Sequence, residues 1–377
     1  MIAASPPEPA ARLRILTVFG TRPEAIKLAP VLAALAARPD RFDSRVCVTG
    51  QHRALLDPTL ALFGIRPDVD LALLAEGQSL AALAAAILAR LDPLIADLRP
   101  DWVLVQGDTI TAMAASLAAW LRQVRLGHVE AGLRSPRRDR PFPEEANRRI
   151  AGQLATRHLA PSESAAAHLR REGVPDAAIL VTGNTIVEAL AAARAAPGPG
   201  PELPADVAGR RLVVVTMHRR ESFGAPVERV CDALVRLADR HRADTRFVVP
   251  LHRNPAVRLP LERRLTGHPA ICLLPPLDYH RMVRLLEGCH LVLTDSGGLQ
   301  EEGPLLGKPV LVLRDETERD VCLAAGATRL VGTDSERIVA ETARLLDDDA
   351  AYAAMAGARV DLGDGRASAR IVAALAG

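Results

Sequence analysis

The feature that most constrains the fold of this chain is an alternation of short β-branched runs with longer runs rich in alanine and leucine. In the first half, strand-like runs occur at residues 13–18, 45–48, 102–105 and 125–129, with weaker ones at 159 and 179–181. Runs with helical spacing lie between them, at residues 25–37, 80–98, 112–121 and 145–155. Strands that alternate with helices predict a parallel sheet covered by helices on both faces.

A break in this alternation at residues 191–209 divides the chain into two similar halves. The break contains four prolines and three glycines among alanines, which is typical of a linker. Strand-like runs then resume at 212–215, 245–249, 271–274, 291–293, 310–312 and 329–331. We therefore expect an α/β protein with two Rossmann-like doubly wound domains, 12–190 and 210–355, facing across a cleft. The C-terminal segment, 356–377, is expected to pack back on the N-terminal domain.

Composition and charge exclude several classes of protein. The 377 residues exceed what one hydrophobic core usually supports, and the net charge of +2 gives no general attraction to nucleic acid or anionic membranes. No apolar run reaches the roughly 18 residues of a membrane span, and the N-terminal stretch lacks the apolar core of a signal peptide. The five scattered cysteines fit buried thiols in a reducing compartment. We expect a cytoplasmic protein without a metal, a nucleic-acid partner or a membrane partner.

The first candidate site follows the first predicted strand, where the sequence FGTRPE occupies residues 19–24. Gly20 allows a tight turn, Pro23 suits the start of a helix, and Arg22 stands where its guanidinium can bind a phosphate. Lys27 lies in the first turns of the helix that follows. The alternative interpretation is a charged helical turn without a ligand. The glycine spacing of a Walker loop is absent.

Two further strands of this half are followed by acidic residues. Gly107, Asp108 and Thr109 directly follow the strand at 102–106, so Asp108 falls at the carboxyl end of a strand, a position equally typical of a helix cap and of a catalytic carboxylate. The next strand carries His128 and Glu130, which point the same way if the chain is extended. A carboxylate at such a position needs a partner, and a purely structural pair with Arg134 is the alternative.

An arginine-rich loop at residues 137–143 separates these residues from the next predicted helix. Glu144 and Glu145 open that helix, where carboxylates interact favourably with the helix dipole. Solvent-exposed side chains without a ligand would explain the charges of the loop, but they would not explain why the loop follows Glu130 so closely.

The second half carries its polar residues at corresponding positions. His218 follows the first strand there, although a lone histidine is more often structural. Small residues, Ser296, Gly297 and Gly298, follow the strand at 291–293 and predict backbone N–H groups directed at a diphosphate. Glu302 lies one helical turn further on, where it can accept hydrogen bonds from ribose hydroxyls. A simple tight turn is the alternative for the Gly-Gly pair.

Six segments taken in order, 19–24, 107–109, 127–134, 143–148, 218–221 and 295–302, resemble the motif series of the non-hydrolysing UDP-N-acetylglucosamine 2-epimerases. The resemblance runs from about residue 13 to 376. It implies a GT-B-like fold, usually a homodimer, and a role in polysaccharide supply. It also implies reversible conversion of UDP-N-acetylglucosamine to UDP-N-acetylmannosamine, by elimination of UDP to 2-acetamidoglucal and re-addition. That chemistry demands neither a cofactor nor a metal.

The resemblance also implies roles for individual residues. The sugar or its leaving group would be surrounded by Lys27, Asp108, Glu130, Glu144 and Arg319. The diphosphate would be held by Arg22, His218, Ser296, Gly297 and Gly298, the ribose by Glu302, and the uracil by the segment around Leu277 and Met282. The candidate catalytic groups are Asp108, Glu130, Glu144 and His218, and which carboxylate serves which face of C2 stays open. The family is often activated by its own substrate at a second site, for which Gln51, His52 and the arginine-rich loop are candidates.

Three positions depart from the family pattern. Arg319 is followed by Asp320 and Val321 where the family usually has Pro-Glu, Met282 replaces a common aromatic residue, and Met217 stands where a smaller residue is frequent. A modified UDP-2-acetamido sugar therefore competes with UDP-N-acetylglucosamine as the substrate. The competing functions are those of a hydrolysing epimerase, a GT-B glycosyltransferase and a catalytically silent UDP-sugar sensor. The joint presence of the four candidate catalytic groups argues against the silent sensor.

Overall fold

The structure is a computed structural model that describes residues 12–50, 53–73 and 77–376. The chain divides into two units. Unit 1 contains the described residues up to Leu133, Arg137–Glu188, and those from Gly363 onward. Unit 2 contains Arg134–Pro136 and Ala189–Leu362.

Unit 1 is built from alternating strands and helices. Its strands are β1 Leu13–Phe19, β2 Phe42–Val48, β3 Val69–Asp70, β4 Trp102–Gln106, β5 Arg125–Val129, β6 Arg157–Ala160 and β7 Ile179–Val181. Its helices are α1 Arg22–Ala36, α2 Arg53–Leu62, α3 Leu80–Leu98, α4 Ile110–Leu121, α5 Glu144–Leu154, α6 Glu163–Arg171, the start of α7 Ile186–Ala195, and α15 Ala367–Ala376.

The sheet of unit 1 has the strand order β3-β2-β1-β4-β5-β6-β7, with every pair parallel. The side chains along each strand alternate between two apolar layers, because successive side chains point to opposite faces of the sheet. Ile15 and Phe19 pack in one layer with the last helix, α15, whereas Leu16 and Val18 pack in the other with α3 and α4. The backbone carbonyl of Leu375 in α15 accepts a hydrogen bond from the indole of Trp102 at 3.1 Å.

Unit 2 repeats the alternation. Its strands are β8 Arg211–Thr216, β9 Thr245–Pro250, β10 Ile271–Leu274, β11 Leu291–Thr294, β12 Val310–Val312 and β13 Thr328–Leu330. Its helices are the end of α7, α8 Ala225–Arg240, α9 Pro255–Leu265, α10 Tyr279–Gly288, α11 Leu299–Leu305, α12 Asp320–Ala324, α13 Ser335–Asp347 and α14 Asp349–Ala356.

The sheet of unit 2 has the order β10-β9-β8-β11-β12-β13, again with every pair parallel. Val213 and Val215 face one apolar cluster, and Leu212 and Val214 face the other. Both sheets thus have the Rossmann order, in which the direction of strand addition reverses between two central strands. Those reversals are the switch points, β1 and β4 in unit 1 and β8 and β11 in unit 2, and ligands of such sheets bind beyond the carboxyl ends there.

The proline-rich stretch at 191–209 differs in detail from the prediction of a linker. The helix α7 continues to Ala195, because a run of alanines favours helix and the first proline comes only at position 197. Val207 is buried in an apolar cluster of unit 2, and Leu203 packs against the same cluster. These residues therefore contribute to the packing of unit 2.

Candidate active site

One buried carboxylate joins the two turns at the switch point of unit 1. Glu24 lies in the first turn of α1 and is 1% exposed. One of its oxygens accepts hydrogen bonds from the N–H groups of Gly20 (3.0 Å) and Thr21 (2.8 Å), which form the turn after β1. The other accepts from the hydroxyl of Thr109, in the turn after β4, at 2.7 Å. Burial raises the pKa of Glu24 to about 7, although these hydrogen bonds act in the opposite direction.

A second buried carboxylate, Glu130, follows β5 and forms an ion pair with Lys27 of α1. The two side chains are 7% and 6% exposed, and the amide of Gln106 donates to the other carboxylate oxygen of Glu130. Glu130 has a φ of +63°, a conformation that non-glycine residues adopt at a cost and that occurs often at functional sites. Lys27 is therefore a partner of the Glu130 carboxylate in the structure.

The prediction that His128 and Glu130 point the same way assumed an extended chain through both residues. β5 ends at Val129, so the extended geometry does not continue through Glu130. His128 is buried, and its Nε2 lies 2.8 Å from the carbonyl oxygen of Gly107. A carbonyl only accepts, so Nε2 carries the proton, and His128 holds the turn that precedes Asp108.

Asp108 is not the cap of the following helix, so that interpretation is wrong. The N-cap of α4 is Thr109, whose hydroxyl oxygen accepts from the N–H of Ala112 at 3.0 Å. The carboxylate of Asp108 instead forms an ion pair with Arg148, which is 3% exposed in its side chain. Asn147 donates to the backbone carbonyl of Asp108 at 2.9 Å. Two consecutive residues of helix α5, Asn147 and Arg148, therefore position Asp108.

The remaining candidates of unit 1 lie at helix starts or outside the described residues. Glu144 is the first residue of α5 and Arg22 is the first residue of α1, and both are partly buried. Gln51 and His52, the candidates for a second substrate site, lie outside the residues that the structure describes.

The switch point of unit 2 is also joined by one buried carboxylate, Asp295, which directly follows β11 and is fully buried. It accepts hydrogen bonds from the backbone N–H groups of His218 and Arg219, each at 2.9 Å, and from the hydroxyl of Ser222 at 2.8 Å. The Nδ1 of His218 lies 2.9 Å from its other oxygen. The turn after β8 is thereby tied to the turn after β11.

A buried network of charges surrounds the Gly-Gly turn of unit 2. Arg319 contacts Glu301 at 2.7 Å and Glu318 at 3.6 Å, and Glu318 also pairs with Arg219 and Arg314. A Cβ atom added at Gly297 would lie 3.2 Å from Arg219 and 3.5 Å from Arg319. Glycine at this position therefore lets two guanidinium groups approach the backbone of the predicted phosphate turn.

The other candidates of unit 2 have defined local settings. The N–H of Ser296 donates to the hydroxyl of Thr294 at 2.9 Å, so this N–H group already has an acceptor. Glu302 is 5% exposed in α11. Leu277 is 7% exposed in an apolar cluster, and Met282 packs against the same cluster.

Sequence reasoning did not assign roles to five residues that connect the candidate groups: Glu24, Gln106, Arg148, Ser222 and Asp295. The spacing of Thr21 and Glu24 matches a capping box and was a usable signal for Glu24. Asp295 stands directly after a buried strand, which was a usable signal as well. The other three carry no local signal, because their roles depend on partners distant in sequence.

Two Rossmann-like domains with polar clusters at both switch points define the class of this protein as GT-B-like. A family model described as UDP-N-acetylglucosamine 2-epimerase matches residues 33–376. The chain therefore belongs to the UDP-N-acetylglucosamine 2-epimerase family, which confirms the resemblance seen in its motifs.

Individual relatives agree with this assignment. The UDP-N-acetylglucosamine 2-epimerase of Escherichia coli K12 is 47% identical over 371 residues, which cover 96% of this chain and 98% of that protein. The Neisseria meningitidis UDP-GlcNAc 2-epimerase bound to UDP-GlcNAc has a TM-score of 0.91 at 39% identity, covering 96% and 99% of the two chains. The Methanocaldococcus jannaschii enzyme in complex with UDP-GlcNAc and UDP has a TM-score of 0.83 at 28% identity, covering 96% and 99%.

Within residues 12–50, 53–73 and 77–376, no group of three or more His, Cys, Asp or Glu side chains is arranged to hold a metal ion. In the same residues, every helix is too short or too polar to cross a membrane.

Proposed function

We propose that this chain is an isomerase that reversibly converts UDP-N-acetylglucosamine to UDP-N-acetylmannosamine. The observation that carries the proposal is the placement of Asp108 and Glu130 after the adjacent parallel strands β4 and β5, each against a buried cation. These carboxylates belong to a chain that is 47% identical to the Escherichia coli epimerase over nearly its whole length.

The proposed chemistry explains why acidic and cationic groups are needed together. The proton on C2 of the sugar has very low acidity, because no carbonyl of the ring stabilises a carbanion. A base removes this proton while the electrons of the C1–O bond leave with UDP, which gives 2-acetamidoglucal. UDP then re-adds to C1 while a proton is delivered to C2 from the opposite face. Asp108, Glu130 and Glu144 are the proposed acid–base groups.

The proposed binding roles follow the motif series of the family. The diphosphate is assigned to Arg22, His218, Ser296, Gly297 and Gly298, and the ribose to Glu302. The uracil is assigned to Leu277 and Met282, and the surroundings of the sugar to Lys27 and Arg319. Cationic and N–H groups of this kind stabilise the negative charge that develops on a departing diphosphate.

One experiment tests the reaction directly. The protein is incubated with UDP-N-acetylglucosamine in deuterated water, and the sugar is followed by NMR. Deuterium at C2 together with UDP-N-acetylmannosamine supports the proposal. Release of free N-acetylmannosamine would identify a hydrolysing enzyme instead. An unchanged substrate would contradict the proposal and leave the glycosyltransferase, the sensor or a modified sugar as the function.

Variants test the assignment of the carboxylates. Asp108→Asn and Glu130→Gln are each expected to lower deuterium incorporation by a factor on the order of 10² or more, because each removes a proposed acid–base group. Asp97→Asn changes an exposed carboxylate of α3 in the same unit and is the matched control. Full activity in both candidate variants would contradict the assignment.

We also propose that the chain forms a homodimer. Trp120 and Leu121, at the end of α4, are 56% and 60% exposed, which is unusual for large apolar side chains. Light scattering is expected to give twice the mass of one chain, and the mass of one chain would contradict the proposal.

Finally, we propose a cytoplasmic location. All five cysteines, Cys47, Cys231, Cys272, Cys289 and Cys322, are free thiols, as expected in a reducing compartment. Cell fractionation is the test, and recovery of the protein outside the cytoplasm would contradict this proposal.

A further inference from the structure

We propose that Asp295 is a positioning residue that fixes the orientation and the Nδ1 proton of His218, and thereby presents the other ring nitrogen of His218 to the leaving diphosphate. The inference rests on the proposed function, because that function assigns the leaving group to His218.

The first step of the argument is the pairing of the imidazole with the carboxylate. The Nδ1 of His218 lies 2.9 Å from Oδ1 of Asp295. Asp295 is fully buried, whereas the side chain of His218 is 36% exposed. One ring nitrogen therefore contacts the protein interior, and Nε2, across the ring, is left for a ligand. This is the arrangement in which a partner behind a histidine sets its tautomer and its direction.

The second step is the ionisation of Asp295. Burial by itself would raise the pKa of this carboxyl, but the charge and hydrogen bond of His218 and the N–H groups of His218 and Arg219 lower the pKa well below its ordinary value. An ionised carboxylate only accepts hydrogen bonds. Nδ1 of His218 must therefore carry a proton in this contact, and a histidine protonated on both nitrogens can donate from Nε2 to a phosphate oxygen.

The third step is the rigidity of the carboxylate. Oδ2 accepts from the N–H groups of His218 and Arg219 and from the hydroxyl of Ser222, while Oδ1 contacts the imidazole. With both oxygens engaged, the carboxylate cannot rotate without losing several hydrogen bonds. The imidazole therefore has one preferred direction before any ligand binds, which is the preorganisation that favours charge stabilisation in a transition state.

The fourth step connects the imidazole to the phosphate turn. Asp295 directly precedes Ser296 and the Gly-Gly pair, so one residue anchors both candidate diphosphate-binding elements. The hydroxyls of Thr216 and Thr294, which end β8 and β11, lie 2.6 Å apart and strengthen the same junction. Displacement of the Asp295 carboxylate would therefore move His218 relative to the turn.

The test uses Asp295→Asn in the full-length chain. The amide group of asparagine places an N–H donor where one of the carboxylate oxygens accepts, so the Nδ1 contact or the backbone contacts are lost. We expect kcat for epimerisation to fall by a factor on the order of 10², with a much smaller change in KM. Asp334→Asn is the matched control, because Asp334 caps α13 by accepting one N–H at 2.9 Å and asparagine caps a helix equally well. An unchanged kcat in Asp295→Asn would overturn the proposal.

A double-variant cycle separates positioning from a purely structural role. If Asp295 acts through His218, then Asp295→Asn is expected to lower kcat little further in a chain that already carries His218→Asn. If the double variant lowers kcat by the product of the two single factors, Asp295 does not act through His218 and the proposal is wrong.

A measurement on the unmodified protein keeps the test independent of variant folding. With 15N-labelled histidine, NMR is expected to show a proton on Nδ1 of His218, and to show that UDP perturbs Nε2 far more than Nδ1. An Nδ1 without a proton would overturn the proposal. This readout needs no turnover, so a chain that binds UDP with this signature but does not epimerise the sugar would refute the proposed function and leave the positioning role intact.

Discussion

The buried carboxylates at the two switch points have the same structural role, but their pKa values are shifted in opposite directions. Glu24 in unit 1 and Asp295 in unit 2 are both buried, and each ties together the turns after two central strands. The contacts of Glu24 are neutral donors, and burial raises its pKa to about 7. Asp295 contacts an imidazole as well, and its pKa is lowered. Hydrogen bonds from neutral groups thus do not offset burial at Glu24, whereas at Asp295 the interactions with His218 and the backbone N–H groups lower the pKa despite burial.

The comparison has opposite consequences for stability. Glu24 binds its proton more tightly in the folded chain, so its contribution is fully present below pH 4.5 and is lost as the pH rises to about 7. Asp295 binds its proton less tightly in the folded chain, so its contribution is present above pH 3.8 and is lost as the pH falls further. Because a chain of two domains need not unfold in one transition, hydrogen exchange in a central strand of each unit is the suitable measurement.

The largest expected effect is that of Asp295→Asn on unit 2. The substitution removes the charge that pairs with His218 and turns one acceptor into a donor, so the free energy of opening should fall by about 4 kcal/mol at pH 7. Amide exchange in β11 measures this change, with Asp334→Asn as the control. A loss below about 1 kcal/mol would mean that Asp295 does not hold the junction of the turns.

Glu24→Gln is expected to stabilise unit 1, whereas Asp295→Asn is expected to destabilise unit 2. Glutamine resembles the protonated carboxyl, so the variant is expected to be more stable than the parent by up to about 3 kcal/mol at pH 8, and no more stable at pH 4.5. Amide exchange in β4 between these pH values measures the difference. An equal effect at both pH values would show that Glu24 does not titrate in this range.

The fold was largely predictable, because hydrophobic periodicity encodes local structure. The predicted strand at 125–129 coincides with β5, and the one at 13–18 differs from β1 by one residue. The two-residue strand β3 was not predicted, since Val69–Asp70 is too short to show a period. The position of the candidate residues after strands also followed from the sequence, because Asp108 and His218 each lie two residues beyond the end of a strand, β4 and β8 respectively.

The pairing within the candidate sites was not predictable from the sequence. Lys27 and Glu130 are 103 residues apart, and His218 and Asp295 are 77 apart. These pairs form because β4 lies between β1 and β5 in one sheet and β8 neighbours β11 in the other. Local periodicity predicts single strands but does not predict their order in a sheet. The positive φ of Glu130 was missed for a similar reason, since surrounding tertiary contacts hold it there.

Thr109→Val tests whether a neutral donor supports the charge of Glu24. The hydroxyl of Thr109 lowers the pKa of Glu24 and also caps α4. The variant should lose about 2 kcal/mol at pH 5, from the cap and from a hydrogen bond to a neutral carboxyl, and about 3 kcal/mol at pH 8, where the lost hydrogen bond is to an ionised carboxylate. Thr109→Ser keeps the hydroxyl and is the control. If the loss of stability is equal at pH 5 and pH 8, the hydroxyl of Thr109 does not lower the pKa of Glu24.

Ser222→Ala makes the equivalent change in unit 2 and completes the comparison. Ser222 donates to Asp295 at 2.8 Å, and its loss should cost about 1.5 kcal/mol, as is usual for a hydrogen bond to a charged group. Because Asp295 is ionised throughout, we expect the same loss at pH 5 and pH 8, in contrast to Thr109→Val. Exchange of the β11 amides at both values is the measurement, with Ser222→Thr retaining the hydroxyl as the control. A loss that grows between pH 5 and pH 8 would mean that Asp295 titrates there, and the two switch points would no longer differ in kind.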